Sequence, residues 1–345
     1  MPKIERSIFG MIKNTTVERF QLENDQGMSI SLMTYGATLL EVVVPDKTGR
    51  FENVVLGCAT LAEYSAHSPY FGATIGRVGG RIRQGKWLNT QLTQNEGEQH
   101  IHGGVNAVSH RVWEVLKSDV ENLSVTLGVV SPAGDNGYPG NLEMTVTYQL
   151  YADNHFEIIT TGITDEATLF NPTNHSYFNL SGDLKETISE HQLEIGASQV
   201  ALMDDSKCPT GVLAPVANTA FDFQAGQTLK AFTKKEPQGL DTPFPLNEGA
   251  DFAVRLTDNV SGRRMVIETD ANAIVVFSTT GMNEPYLVNG TRPMVSELGI
   301  ALEPQQLPDA IHHDHFGDIV LPEGRHKSYR SSYRFDTIKQ KKLKE

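Results

Sequence analysis

The sequence is poor in cysteine, in basic charge and in long apolar runs. Cys58 and Cys208 are the only cysteines among 345 residues, which argues against a disulfide framework or a cysteine-based zinc site and favours a reducing compartment. With 29 Lys+Arg against 42 Asp+Glu, the formal net charge is −13, so nucleic acid and anionic membrane surfaces are poor candidate partners. No run of about 18 uncharged apolar residues is present, and we expect no membrane-spanning helix.

The two ends of the sequence are polar. Lys3, Glu5, Arg6 and Lys13 interrupt the first 14 residues, which therefore lack the continuous apolar segment of a signal peptide. We accordingly expect a cytoplasmic protein. Residues 339–345 contain four lysines and are expected to form a short, solvated basic tail.

The periodicity of the apolar residues is that of β-strands. Apolar and polar residues alternate over residues 142–150, and again over residues 156–161 after a turn at Ala152-Asp153-Asn154. This pattern predicts an antiparallel hairpin with one buried face. Similar apolar segments at residues 40–44 and 265–277 are also bounded or interrupted by turn residues.

Long amphipathic helical patterns, internal repeats and linker-like segments are all missing. The 30 glycines and 16 prolines are spread through the whole sequence. Short strands separated by turns favour an all-β fold over an alternating βα fold. We predict one large single-domain β-sandwich over residues 1–345.

Polar residues concentrate in a few segments that an ordinary strand would not need. The first, residues 71–82, is rich in glycine but has neither the spacing nor the Lys-Ser/Thr ending of a phosphate loop. It contains two arginines. We interpret Arg77 as a surface ion-pair residue and Arg81 as a fork of donors that reaches into a cleft.

The second segment, residues 95–104, contains a His-x-His pair. If the segment is a strand, His100 and His102 lie on one face and form a possible metal pair. A third ligand would have to come from His175 or from the histidine-rich residues 312–315, which have no diagnostic spacing. Alternatively, one histidine hydrogen-bonds a substrate in a cleft, with Gly103-Gly104 leaving space beside it.

The third segment, residues 171–180, places amides, hydroxyls and His175 between Phe170 and Leu180. A buried structural network and a pocket wall with His175 as proton donor explain it equally well.

Two separate carboxylates complete the set of candidate site residues. Asp241 is interpreted as a turn-capping residue, and Glu303 follows an apolar run, so we expect it near a sheet end with a raised pKa.

Taken together, these segments resemble the galactose mutarotase (aldose 1-epimerase) family, from about residue 18 to residue 335. The resemblance rests on ordered motifs at residues 76–82, 102–104, 171–180 and 302–310, with Gly239-Leu240-Asp241 between the last two. It implies a β-sandwich, no cofactor, and interconversion of the α and β anomers of aldohexoses such as galactose and glucose.

The resemblance also implies roles for single residues. Opening a pyranose ring needs a base at the C1 hydroxyl and an acid at the ring oxygen. Glu303 matches the family base and His175 the family acid, with an ionised Glu303 beside a protonated His175 as the expected resting state; His102 is a supporting residue. The expected substrate-binding positions are Gly80, Arg81, His102, Tyr177, Asp241 and Phe277.

This sequence departs from the family pattern at three positions. Gly80, Thr242 and Pro304 stand where relatives often have Asn, His and Thr. The preferred sugar therefore stays open among galactose, glucose and a reducing disaccharide such as maltose. Whether the protein is a monomer or a homodimer also stays open.

Three other functions are compatible with the same residues. One is a non-catalytic carbohydrate-binding protein, in which His175 and Glu303 only bind hydroxyls. Another is a glycoside hydrolase with Asp241 and Glu303 as its paired carboxylates. The third is a metal-dependent enzyme that uses His100 and His102.

Overall fold

A computed structural model describes residues 1–67 and 69–338. The predicted basic tail, residues 339–345, lies outside the described residues. Strands make up 47% of the structure and helices 9%, which confirms the all-β prediction. Of the helices within the described residues, none has the length and apolar character needed to cross a membrane.

The described chain forms thirty strands and two short α-helices. The first half contains β1 (Lys3–Ile12), β2 (Thr15–Glu23), β3 (Ser29–Met33), β4 (Thr38–Pro45), β5 (Phe51–Asn53), α1 (Leu61–His67), β6 (Thr74–Ile75), β7 (Arg81–Ile82), β8 (Lys86–Trp87), β9 (Thr90–Gln91), β10 (His100–Ile101), β11 (Glu114–Asp119), β12 (Ser124–Ser131), β13 (Leu142–Leu150), β14 (His155–Thr164) and β15 (Thr168–Leu169). The second half contains β16 (Thr173–Asn174), β17 (Tyr177–Phe178), β18 (Gln192–Ile195), β19 (Gln199–Met203), β20 (Pro209–Pro215), β21 (Gln227–Thr228), α2 (Leu229–Thr233), β22 (Asp241–Pro245), β23 (Val254–Thr257), β24 (Arg263–Thr269), β25 (Ala273–Ser278), β26 (Glu284–Val288), β27 (Arg292–Met294), β28 (Ile300–Gln305), β29 (Val320–Leu321) and β30 (His326–Thr337).

The largest sheet has nine strands in the order β11-β12-β13-β14-β30-β24-β23-β18-β21, with antiparallel neighbours. It contains the predicted hairpin, in which Leu142 pairs with Thr164 and Leu150 with Phe156. The alternating residues of β13 are buried on one face as expected. That prediction is confirmed.

Two smaller sheets matter for the site. Strands β1 to β5 form a five-stranded meander, and β17, β28, β25 and β22 form a four-stranded sheet in that order. The turn at residues 270–272 carries the chain from β24 in the nine-stranded sheet to β25 in the four-stranded sheet. The apolar segments on either side of this turn therefore belong to different sheets and do not form a hairpin.

The main hydrophobic core lies between these three sheets. Its buried residues come from the nine-stranded sheet, for example Val146 and Ile267, from the five-stranded sheet, for example Ile30, and from the four-stranded sheet, for example Val276 and Leu302. The four-stranded sheet uses only one face for this core, because successive side chains of a strand point in opposite directions. Its other face packs in part in a second hydrophobic cluster, which includes Tyr177 and Ala301, and also lines the site described next.

Candidate active site

The outer face of the four-stranded sheet carries four of the predicted site residues. Phe277 on β25 pairs with Asp241 on β22 and with Ala301 on β28, and Ala301 pairs with Tyr177 on β17. Directly paired residues in an antiparallel sheet point to the same face. Glu303 lies two residues beyond Ala301 on β28 and so shares that face. The register thus brings together Asp241, Tyr177, Phe277 and Glu303.

The loops above this face supply the other predicted residues. Arg81 on β7 pairs with Ile101 on β10, and His102 follows at the end of that strand. His175 lies between β16 and β17. Together with Gly80 and the four sheet residues, these side chains line one pocket of about 260 Å³. Segments more than 200 residues apart in the sequence therefore meet at a single small cavity.

His175 and Glu303 face each other at close range inside this pocket. His175 Nε2 lies 3.4 Å from Glu303 Oε1, and the two side chains are 6% and 3% exposed. The remaining polar atoms, His175 Nδ1 and Glu303 Oε2, have no hydrogen-bond partner among the described residues. Buried polar atoms are normally satisfied, so the pair has unused hydrogen-bonding capacity for a ligand or water. Glu303 lies within β28, two residues before the strand ends at Gln305.

Burial determines the charge of this pair. It raises the pKa of Glu303 well above its usual range, and the nearby Asp241 carboxylate raises it further, against an opposing effect of Arg81. Burial also lowers the pKa of His175 to about 4. Desolvation thus disfavours both charges of the expected resting state, in which an ionised Glu303 lies beside a protonated His175.

His102 is held as a neutral hydrogen-bond donor. Its Nδ1 accepts a hydrogen bond of 3.3 Å from the backbone N–H of Gly80, which assigns the ring proton to Nε2. Burial, together with the neighbouring His175 and Arg81, lowers the pKa of His102 well below its usual value. Gly80 contributes through its backbone, since a Cβ at this position would lie 2.9 Å from Pro308.

Arg81 and Asp241 form part of a charged wall. The Arg81 guanidinium is 11% exposed and binds both oxygens of Glu96, at 2.5 and 2.9 Å. Asp241 Oδ2 lies 3.9 Å from Arg81 Nη1 and 3.4 Å from Lys207 Nζ. The placement of Arg81 in a cleft is confirmed. The interpretation of Asp241 as a turn cap is wrong, because it begins β22 and its carboxylate faces these two cations.

Arg77 lies in the interior, and its interpretation as a surface ion-pair residue is wrong. The residue is 1% exposed, because the chain at residues 131–140 surrounds its guanidinium with acceptors. Those acceptors are Ser131 Oγ, Thr168 Oγ1 and the carbonyl oxygens of Ser131, Pro132, Pro139 and Gly140, at 2.7 to 3.0 Å.

His100 has a structural role, and the interpretation of His100 and His102 as a metal pair is wrong. His100 Nδ1 bonds the Thr93 carbonyl oxygen and its Nε2 bonds the Tyr138 hydroxyl, each at 2.7 Å. The strand ends at Ile101, and the φ of 50° at His102 turns that side chain away from the strand pattern. Within residues 1–67 and 69–338, no three His, Cys, Asp or Glu side chains are grouped to hold a metal ion.

Both explanations of residues 171–180 apply to different side chains. Asn171 exchanges hydrogen bonds with the backbone of Gln306, and Asn174 donates to the carbonyl of Gly72 and accepts from Ser176. These amides form a satisfied buried network. That network fixes the loop that presents His175 to the pocket.

Sequence reasoning missed several residues that line the pocket. The Tyr70 ring lies 5.0 Å from the ring of His102 and 5.9 Å from that of His175, measured between centroids. Gln305 is two residues beyond Glu303 on β28, so strand alternation could have identified it. Tyr70, Glu96 and Lys207 come from loops, where no strand alternation in the sequence could have identified them.

Comparison with known proteins agrees with this geometry. The family model described as "Aldose 1-epimerase" matches residues 18–334. The chain is 32% identical to maltose epimerase of Levilactobacillus brevis, over 96% of this chain and 99% of that protein. It is also 32% identical to human galactose mutarotase, over 97% of this chain and 99% of that protein. The crystal structure of galactose 1-epimerase from Lactobacillus acidophilus superposes with a TM-score of 0.87 at 31% identity, covering 98% and 99% of the two chains.

These matches extend over nearly the whole chain and include its pocket. The protein is an isomerase of the mutarotase class. It belongs to the aldose 1-epimerase family.

Proposed function

We propose that this protein interconverts the α and β anomers of free aldohexoses such as D-galactose and D-glucose, with Glu303 as general base and His175 as general acid. The observation that carries this assignment is the buried contact of 3.4 Å between His175 Nε2 and Glu303 Oε1 in a pocket of sugar-compatible size. A base and an acid this close can act on the two oxygens bonded to one anomeric carbon.

Ring opening then proceeds by two proton transfers. Glu303 takes the proton of the C1 hydroxyl as the C1–O1 bond becomes a carbonyl. The bond between C1 and the ring oxygen breaks, and that oxygen receives a proton from His175. After rotation about C1–C2, His175 removes the same proton, the oxygen attacks the other carbonyl face, and Glu303 returns its proton to O1. All atoms and charges balance without a cofactor.

The reactive ion pair differs from a neutral pair by one proton transfer. The neutral pair and the ion pair each contain a single titrating proton, on Glu303 in one case and on His175 in the other. A bound sugar favours the ion pair, since its C1 hydroxyl donates to the carboxylate and its ring oxygen accepts from the imidazolium. The substrate itself thus promotes the state that reacts.

The other predicted residues form the binding surface in this proposal. His102 donates from Nε2, Arg81 and Asp241 bind hydroxyls, and the Phe277 ring covers an apolar face of the sugar. Tyr177 acts as a wall, because its hydroxyl already donates to the Pro69 carbonyl at 3.1 Å. Gly80 orients His102 through its backbone.

We also propose that the chain forms one domain, which works in the cytoplasm as a monomer or homodimer. The main hydrophobic cluster supports the first point, because it includes residues from Phe20 to Phe335. Two free, buried cysteines, Cys58 and Cys208, support a reducing compartment.

Polarimetry tests the proposed reaction. Freshly dissolved α-D-galactose and α-D-glucose should reach their equilibrium rotation faster with the protein than in buffer alone. Freshly dissolved β-maltose measured in parallel shows whether a reducing disaccharide is accepted. Calorimetric binding of galactose without faster mutarotation would contradict the proposal and favour a carbohydrate-binding protein.

A further inference from the structure

Four side chains of alternating charge line the pocket wall beside the acid–base pair. They run in the order Glu96, Arg81, Asp241 and Lys207, with closest contacts of 2.5, 3.9 and 3.4 Å between successive members. Their formal charges cancel. Glu96 is the more accessible partner of Arg81, with 44% of its side chain exposed against 11% for the arginine.

We propose that Glu96 is a specificity-determining residue that accepts a hydrogen bond from one sugar hydroxyl, while Arg81 holds its carboxylate in place. This inference rests on the proposed function. An ionised carboxylate offers about four lone-pair sites. The Arg81 contacts occupy one site on each oxygen, which leaves acceptor capacity toward the pocket that Glu96 lines.

The local fold does not require the Glu96 side chain. Glu96 and Gln99 form a bridge through their backbones, across a two-residue turn in which Gly97 has a φ of 58°. The Asn95 side chain further closes the loop by bonding both backbone groups of Ile101. Removing the Glu96 carboxylate should therefore leave the loop folded.

Few neighbouring residues on this side of the pocket could accept a hydrogen bond from a sugar hydroxyl in place of Glu96. Gly80 has no side chain, its N–H is already used by His102, and Pro308 is apolar. Among the described pocket-lining residues between positions 69 and 102, Glu96 supplies the carboxylate.

The test compares Glu96→Gln and Glu96→Ala with Glu98→Gln, an exposed glutamate of the same turn that does not line the pocket. Steady-state kinetics are measured with the preferred aldohexose and with deoxy analogues that each lack one hydroxyl. For the parent sugar, both Glu96 variants should raise KM roughly tenfold, the effect of one charge-assisted hydrogen bond, with a much smaller change in kcat. Glu98→Gln should match the unmodified protein.

The analogues separate a direct contact from an effect on Arg81. For one deoxy sugar, the KM penalty of Glu96→Gln should disappear, because the hydroxyl that Glu96 binds is already missing. An equal penalty with every analogue would overturn the proposal and give Glu96 only a positioning role toward Arg81. Unchanged KM values in an active enzyme would also overturn it, whereas failure of the unmodified protein to accelerate mutarotation would overturn the proposed function itself.

Discussion

His175 and Glu303 are buried against each other, with Nε2 and Oε1 3.4 Å apart and neither side chain more than 6% exposed. Desolvation acts on them in opposite directions, since it raises the pKa of the carboxyl and lowers that of the imidazole. These shifts favour a pair that carries one proton. Acid–base exchange during ring opening and closure requires this singly protonated pair.

The pH dependence of kcat/KM follows from that proton count. Below the acid limit both groups are protonated and no base is left, and above the alkaline limit no acid is left. Because burial lowers the pKa of His175 to about 4, we expect a plateau through neutral pH and an acid limb well below 6.5. Polarimetry measures this pH profile, after the mutarotation rate in each buffer without protein has been subtracted. An acid limb centred near 6.5 would show that His175 titrates like an exposed histidine.

Tyr70 helps to keep water from the two pocket histidines. Its ring packs on His102 and His175, so Tyr70→Ala should hydrate both imidazoles and raise their pKa values. We expect the acid limb of kcat/KM to move upward in this variant. Tyr70→Phe, which keeps the ring, should retain the original limb. If both variants show the limb of the unmodified protein, the ring does not control the desolvation.

Arg77 stabilises the fold from the interior. Lysine offers three donors in place of five and cannot reach all six acceptors around the guanidinium. Arg77→Lys should therefore lower the free energy of unfolding by at least ~3 kcal/mol, because several buried acceptors lose their donors. Urea denaturation measures this, with the exposed Arg325→Lys as control. A loss below ~1 kcal/mol would be typical of a surface ion pair.

Local patterns predicted the local parts of the fold. The hairpin of β13 and β14 could be predicted from the alternation of apolar and polar residues, because one face of each strand is buried and the other is less buried. The apolar run at residues 274–277 has no such alternation, because β25 packs on the core with one face and lines the pocket with the other. Which sheet a strand joins depends on pairings such as that of β24 with β30, which lie far apart in the sequence.

The candidate site could be predicted where its residues belong to motifs of the family. All the residues expected from the family resemblance line one pocket. Arg81 was placed correctly in the cleft, but the burial of Arg77 could not be predicted, because its acceptors lie about 55 to 90 positions away in the sequence. The desolvation of the His175–Glu303 pair could not be predicted either, since it depends on burial that only the assembled sheet and loops produce.

The central claim is that Glu303 acts as the base of a mutarotase, and the Glu303→Gln variant tests it most directly. Glutamine is nearly isosteric and removes a buried acid, so the fold should persist. The measurement is the enzyme-dependent rate of approach to equilibrium rotation for α-D-galactose, with Glu98→Gln as control and calorimetry to follow sugar binding. We predict a rate lowered by ~10²–10⁴-fold with binding retained. A variant that keeps the full rate would contradict the assignment of Glu303 as the base.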